Sequence, residues 1–539
     1  MNEKPIHIQT CDRTFAFGVV ISCIIGMLGI AAAGPSSSIP QSNHGILRLA
    51  RSTDPQTLDP AVMVLMEDLF LWPLLHLPLL DWVNVTNLVP CAASAWSASP
   101  DYHTFTLQLR SEVKFSNGRP VVADDYIYAL ERILNPATGS WIAAYLGDIR
   151  GAKAFIAGQT NHVAGIRSTS SLVLSIELEH PDPTFPYFLT FSAMPRESII
   201  GSEDHYAVAP VSTGPYMVQE WVRGARLKLR RNPHYHGPEP WHLDGIEILI
   251  GGDEATHLML FERGELDIDN RTSYAVYHHI MTHPYWHNRV DRTQAIYTFG
   301  VILNTEIPPF TNVLVRQAIN HAIDRDRRMR VALGFNSHAE GIMPPNLPGY
   351  NAGLRGYKYD PERARQLLKE SGLPLPLHTV LWHATDDAAN FIAQGIQWDL
   401  HHVGIGIELK MVTGSEMYTA AAVRGKVPMF LGGYGADMPD PKGMLGVQFD
   451  GNTVTNTSTL NVSFYNNPEV THLLKEAALR SDWSLRFKLY QRAEEMIMRD
   501  APWAVLGHQN AFALRQPWLK GPLMDPIWIC RFDRVWIEK

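Results

Sequence analysis

Cysteine is scarce in this chain, with four in 539 residues and no Cys-x-x-Cys pair, so the common dithiol redox and zinc-clip signatures are missing. No Gly-x-Ser-x-Gly elbow, no Gly-x4-Gly-Lys-Ser/Thr phosphate loop and no His-Glu-x-x-His occurs. These absences remove the simplest hydrolase, nucleotide and metallopeptidase readings. They leave open a pair of carboxylates brought together only in space, which needs no local motif. Positive charge is also short: the formal net charge is −8 and no basic stripe appears, which excludes an ordinary nucleic-acid-binding surface. No internal repeat occurs, and there is no low-complexity stretch beyond a short linker ending near Ser42.

What is present is an ordinary globular composition, 45% hydrophobic and 19% charged, with length for two or three domains. The single long apolar run, Phe15 to Ala33, follows Lys4 and Arg13 and ends at Ala31-Ala32-Ala33 before Gly34-Pro35 and Ser36-Ser37-Ser38. This pattern reads as a secretory signal peptide over 1–33 and a linker over 34–44. A retained membrane anchor is the competing reading, since a span needs about 17–25 apolar residues. Cys23 follows Val20-Ile21-Ser22, a degenerate lipoprotein box. After export only Cys91 and Cys530 would remain, either as one disulfide or as two isolated buried thiols.

Strand and helix periods are interspersed through the rest, as in α/β proteins. Phe105, Leu107 and Leu109 alternate with polar residues and predict a half-buried strand, closed by a turn at Ser116-Asn117-Gly118. Leu227 and Leu229 between arginines, and Ile246, Ile248 and Ile250, predict two more. Asp124 is expected to cap a helix carrying Tyr126, Ile127, Leu130 and Leu134. Asp360-Pro361 opens a second helix with Ala364, Leu367 and Leu368 on its apolar face and Gly372 at its end. Val315, Ala318, Ile319, Ala322 and Ile323 mark a third.

Of the 23 histidines, His234-Tyr235-His236, His278-His279 and His401-His402 are the densest groups, but neighbours on regular structure point apart and make poor chelates. No metal and no cofactor is expected. The segment Gly432-Gly433-Tyr434-Gly435-Ala436-Asp437-Met438-Pro439-Asp440-Pro441 is more unusual. Its glycines would allow close backbone approach to a ligand, its tyrosine supplies contact area and its aspartate can pair with a cation. The plainer alternative is a glycine-rich strand end followed by a proline turn.

Ala95-Trp96-Ser97-Ala98-Ser99-Pro100-Asp101, continuing through Phe105–Arg110 to Val113-Lys114-Phe115-Ser116-Asn117-Gly118-Arg119-Pro120, resembles the signature region of the family 5 extracellular solute-binding proteins. Ser212-Thr213-Gly214-Pro215-Tyr216, Arg231-Asn232-Pro233-His234-Tyr235, Gly264-Glu265-Leu266-Asp267-Ile268, Leu303-Asn304-Thr305 and Ala322-Ile323-Asp324-Arg325 follow in the family's order. Gln516-Pro517-Trp518, Gly521 and Asp525-Pro526 extend the likeness to the C-terminus. Residues 45–539 are covered, and Ala143-Ala144-Tyr145-Leu146 with the C-terminal segment is most similar to the oligopeptide-binding branch.

The resemblance implies an α/β, two-lobed, periplasmic-binding-protein-like fold with an additional domain in the first lobe. The first lobe would comprise 45–80, 210–300 and 511–539, the additional domain 81–209 and the second lobe 301–510. It further implies an exported, periplasmic, monomeric binding component of an ABC importer that closes on a peptide or peptide-like ligand and hands it to permease and ATPase subunits. An enzyme is not expected. A non-peptide solute (metal chelate, opine or sugar) is the rival cargo, and a secreted hydrolase the rival class.

By the same resemblance Asp437 would pair with a ligand's ammonium. Tyr434 stands where a tryptophan is common, Gly433 and Gly435 flank it, and Tyr145 matches a pocket tyrosine. Where relatives place arginines for a peptide carboxylate, this chain has Ala422 and Leu431, with Arg424 as a nearby substitute. A disulfide of relatives is missing, its positions being Tyr297 and Gly435.

Overall fold

The computed structural model describes residues 45–63, 69–85, 87–237, 241–270 and 273–538. The expected signal peptide and linker, with Cys11 and Cys23, lie outside the described residues. No helix among the described residues is long and apolar enough to cross a membrane.

Among the described residues side-chain alternation builds three sheets of four or more strands, beside three two-stranded ribbons, and each large sheet packs its own apolar residues. In the first, strands run in the order Ile46–Arg51, Gly245–Ile250, Arg226–Arg231, Tyr216–Val222, with the first pair parallel and the others antiparallel. Leu227, Leu229, Ile246 and Ile248 turn inward, and the alternating cationic residues Arg226, Lys228 and Arg230 keep contact with solvent, as a one-sided sheet requires. They join Leu47, Leu49, Tyr216 and, from the C-terminal segment, Cys530, Phe532 and Val535 in one apolar cluster. Three separated stretches of sequence therefore share one core.

The second sheet, Ala93–Ala98, Thr104–Leu109, Val173–Glu177, Ile166–Ser170, is wholly antiparallel. Phe105, Leu107 and Leu109 are at most 4% exposed and pack under the helix Ala123–Leu134. That helix begins one residue earlier than the aspartate expected to cap it. The carboxylate of Asp125, in the first turn, accepts the Val122 N–H at 2.9 Å and pairs with Arg119, while Asp124 faces out and accepts from the Ser168 hydroxyl. Ile127 is only partly buried; Tyr126, Leu130, Ile133 and Leu134 form the inward face. Gly118 has φ +88°, the left-handed conformation its turn needs.

The third sheet is the largest, in the order Ile268–Asp269, Trp503–Arg515, Val290–Leu303, Met429–Gly435, Leu377–Ala384, Ile405–Val412, with Asn336–Ser337 added to Trp503–Arg515. The last three strands of the main order are mutually parallel and their carboxyl ends share one edge. Helices Val313–Ala322 and Pro361–Glu370 cover this sheet through Val315, Ala318, Ile319, Ala364 and Leu367. The Asp360 carboxylate caps the second at Arg363 N, 2.9 Å, and Gly372 past its end has φ +71°. Ile323 lies just beyond the first, as its C-cap.

These cores make two lobes, the first enlarged by the second sheet. Two long strands, Val290–Leu303 and Trp503–Arg515, pair antiparallel at the centre of the third sheet. Their pairing shifts register between Gln294 and Thr298. The two cysteines among the described residues are both free and buried, Cys91 in the second sheet's core and Cys530 in the first's. Of the two arrangements open from sequence, the structure therefore has the isolated thiols.

Candidate ligand-binding site

The strand Met429–Gly435 runs up the third sheet and delivers Asp437 two residues past its end. The ladder continues one step further, because Ala436 N–H donates to Ile296 O at 2.8 Å, so the approach to Asp437 is held by backbone bonds. Beyond it, Asp440 is anchored from below. Its carboxylate takes Arg486 Nη2 at 2.7 Å and Nε at 3.1 Å, and both side chains are at most 1% exposed. Arg486 also donates to the carbonyls of Ala477 and Ala478. A bidentate pair with its remaining donors satisfied is the arrangement in which a buried charge is tolerable. The turn carrying Asp437 is thereby clamped at both ends.

Asp437 itself receives two phenols. Tyr434, three residues earlier, and Tyr145, from the short helix Ala143–Leu146 of the enlarged first lobe, both donate to its Oδ2. Among the described residues Oδ1 takes no hydrogen bond. Tyr145 is held by stacking on Phe188, centroids 4.9 Å apart, and by an edge contact with Trp141. Asp437 keeps contact with solvent, yet the protein packed around it withholds enough water to raise its carboxyl above the usual range, and the two phenols pull the other way. Burial and the neighbouring carboxylate push both phenols far up, so both remain donors.

Other contacts cross between the same two parts of the chain. Lys442 Nζ lies 2.7 Å from Asp182 Oδ2, and Tyr187 stacks on Trp483.

The glycines do different work from the close ligand approach their composition suggested. A Cβ on Gly433 would stand 2.5 Å from Thr298 O and 2.7 Å from the Tyr297 ring, and one on Gly435 would stand 3.2 Å from that ring. The space they leave is filled by the neighbouring strand. Tyr297, directly opposite Gly435, occupies the room at the two positions where relatives are expected to have a disulfide. Tyr418 then locks Gly433, accepting its N–H at 2.9 Å and donating to its carbonyl at 3.0 Å.

Tyr145, Tyr434 and Asp437 are thus brought together, with Gly433 and Gly435 in the wall behind them. Arg424 is not. It pairs with Glu306 at 3.1 Å and donates to Asn456 at 3.1 Å, so its guanidinium braces a loop. Leu431 is 7% exposed and lines an apolar cavity on the same sheet edge. Sequence reasoning missed Phe188, Trp141, Asp182, Lys442 and Arg486. Asp440 and Lys442 sit in or beside the unusual Gly-Asp-Pro segment and could have been followed from it; Arg486 carries no local signal. Among the described residues no group of three or more His, Cys, Asp or Glu side chains is placed to hold a metal ion.

The family described as bacterial extracellular solute-binding proteins, family 5 Middle, matches residues 87–456, more than half of the chain. The chain belongs to this family. Among curated relatives, the probable di/tripeptide-binding protein 5 of Pseudomonas aeruginosa is 28% identical, covering 84% of this chain and 88% of its own length. Heme-binding protein A of Haemophilus influenzae is 26% identical, covering 84% and 85%. The solved structure of clavulanic acid biosynthesis oligopeptide binding protein 2 matches with a TM-score of 0.83 at 23% identity, over 92% of this chain and 96% of that one. This last likeness establishes the shared two-lobed α/β fold.

Proposed function

We propose that this chain is the exported binding component of an ABC importer, that it captures an oligopeptide or peptide-like compound bearing a free amine, and that it acts as a monomer and not as an enzyme. The observation that carries the reading is Asp437, a carboxylate with one oxygen held by two phenols from different lobes and the other open to a cation. A ligand ammonium on Oδ1 would make a charge-assisted pair in a partly dry setting. The di/tripeptide-binding relative supports a peptide cargo, and the closed set of contacts around Asp437 supports capture by lobe closure. Strands Val290–Leu303 and Trp503–Arg515 are the connections about which the lobes would move, with lobe limits near 80, 209, 300 and 510. A permease and an ATPase would receive the closed form.

Titration calorimetry with a series of free tripeptides and their N-acetylated forms tests this. Free peptides are expected to bind, and acetylation or Asp437→Ala is expected to weaken binding by about ten- to hundred-fold, the worth of roughly 1.5–3 kcal/mol for a hydrogen bond to a charged group. Equal affinity of free and acetylated peptides would refute the assignment of Asp437.

A further inference from the structure

Three parallel strands end together on the edge from which Asp437 projects, and the same edge holds a cavity of about 290 Å³. Ala384, the last residue of one strand, and Gly414, two residues past another, line it, as does Leu431 of the strand leading to Asp437. Space outside the carboxyl ends of parallel strands is where α/β sheets receive ligands. The volume lies near the lower limit for small-molecule pockets, about 300 Å³, and suits one or two side chains better than a whole peptide.

The walls are apolar. Phe299, Phe391, Met417 and Leu431 line the cavity with the Tyr297 and Tyr418 rings. The two charged side chains in the wall are turned to protein partners: the Arg328 guanidinium lies 4.5 Å over the Phe299 ring and donates to Leu506 O, and the Asp386 carboxylate caps Ala389 N at 2.8 Å. Leu431, 7% exposed, adds apolar surface to the wall.

Tyr297 and Tyr418 join this cavity to the acid. Both line it, Tyr418 grips Gly433, and the Tyr297 ring covers Gly433 and Gly435. From Gly432, also in the wall, to Asp437 is five residues, at most on the order of 16 Å at strand rise, about the reach of four or five extended peptide residues.

Resting on the amine-binding reading of Asp437, we infer that the cavity takes a large apolar or aromatic group of the cargo, so that this receptor selects amine-bearing compounds with an apolar body within a few residues of the amine. Calorimetry with penta-alanine and with pentapeptides carrying one phenylalanine at any of the second to fifth positions tests it. At least one phenylalanine peptide is expected to bind about ten- to hundred-fold tighter than penta-alanine, the range for burying one such side chain. Leu431→Arg is expected to reduce that preference to a few-fold. Phe391→Ala, a half-exposed position whose loss leaves the core intact, should do the same and serves if the arginine variant fails to fold. Equal affinity for all free pentapeptides, or a preference unchanged in Phe391→Ala, overturns the inference and leaves amine binding standing. Absence of binding by every free peptide overturns both.

Discussion

Lys442 Nζ stands 2.7 Å from Asp182 Oδ2, joining the turn after Asp437 to the enlarged first lobe across 260 residues of sequence. Asp182 is itself fixed by the Thr184 N–H at 2.8 Å and hydroxyl at 2.6 Å. On the proposed closure the pair forms only when the lobes meet, so its energy favours the closed state alone. Partly exposed pairs contribute up to about 1 kcal/mol. Lys442→Ala is therefore expected to weaken ligand affinity by at most about five-fold and enlarge the radius of gyration measured by small-angle scattering without ligand. An unchanged radius would show that this ion pair does not bias closure.

The phenols on Asp437 lead to a second expectation. Burial raises its carboxyl and the phenols lower it, so Tyr434→Phe should raise it further. An acid must be ionised to hold an ammonium; affinity therefore falls as pH drops through its pKa. The acid limb of binding should lie above the ordinary carboxylate value of about 3.9 and move to higher pH in Tyr434→Phe. Calorimetric titrations at a series of pH values read this directly, and superimposable acid limbs would contradict it.

Asp440 and Arg486 form the most buried ion pair of the site. Removing one partner strands a charge, which costs about 3–5 kcal/mol. Asp440→Ala is expected to lower stability by that amount in denaturant titrations and to weaken ligand binding by loosening the turn that carries Asp437. A loss below about 1 kcal/mol would mean that Arg486 finds water or another acceptor.

Glu494 supplies a pH effect away from the site. Burial pushes it up to about 7, although its carboxylate accepts the Met343 N–H at 2.8 Å. The unfolded chain releases this proton near pH 4.3, so between roughly 4.5 and 7 the folded state binds more protons. Stability contributed by the group is then lost as pH rises, by on the order of 3 kcal/mol. Glu494→Gln cannot titrate and should gain on the parent protein in thermal melts as pH goes from about 5 to 8. A constant difference would refute this.

Much of the architecture was legible in local patterns. Alternation at Phe105–Leu109 and Leu227–Leu229, and 3.6-residue spacing at Val315–Ala322, report which face is buried, because one buried face forces that period on the chain. The misplacement of the first helix cap at Asp124 has a local cause: two adjacent aspartates compete, and only Asp125 stands one turn inside where it can reach back to Val122.

By itself, the sequence determined the periods, the family motifs and the unusual segment from Gly432 to Pro441, since these depend on neighbours within a few residues. The tertiary structure alone decided that Tyr145 reaches Asp437 from 292 residues away, that Arg424 is spent on Glu306 and that the glycines yield their space to Tyr297. It also decided that Cys91 and Cys530 remain apart and that Leu431 opens an apolar cavity. Each of these is set by which distant strands lie side by side, and that follows from burying whole faces together, which no local spacing records.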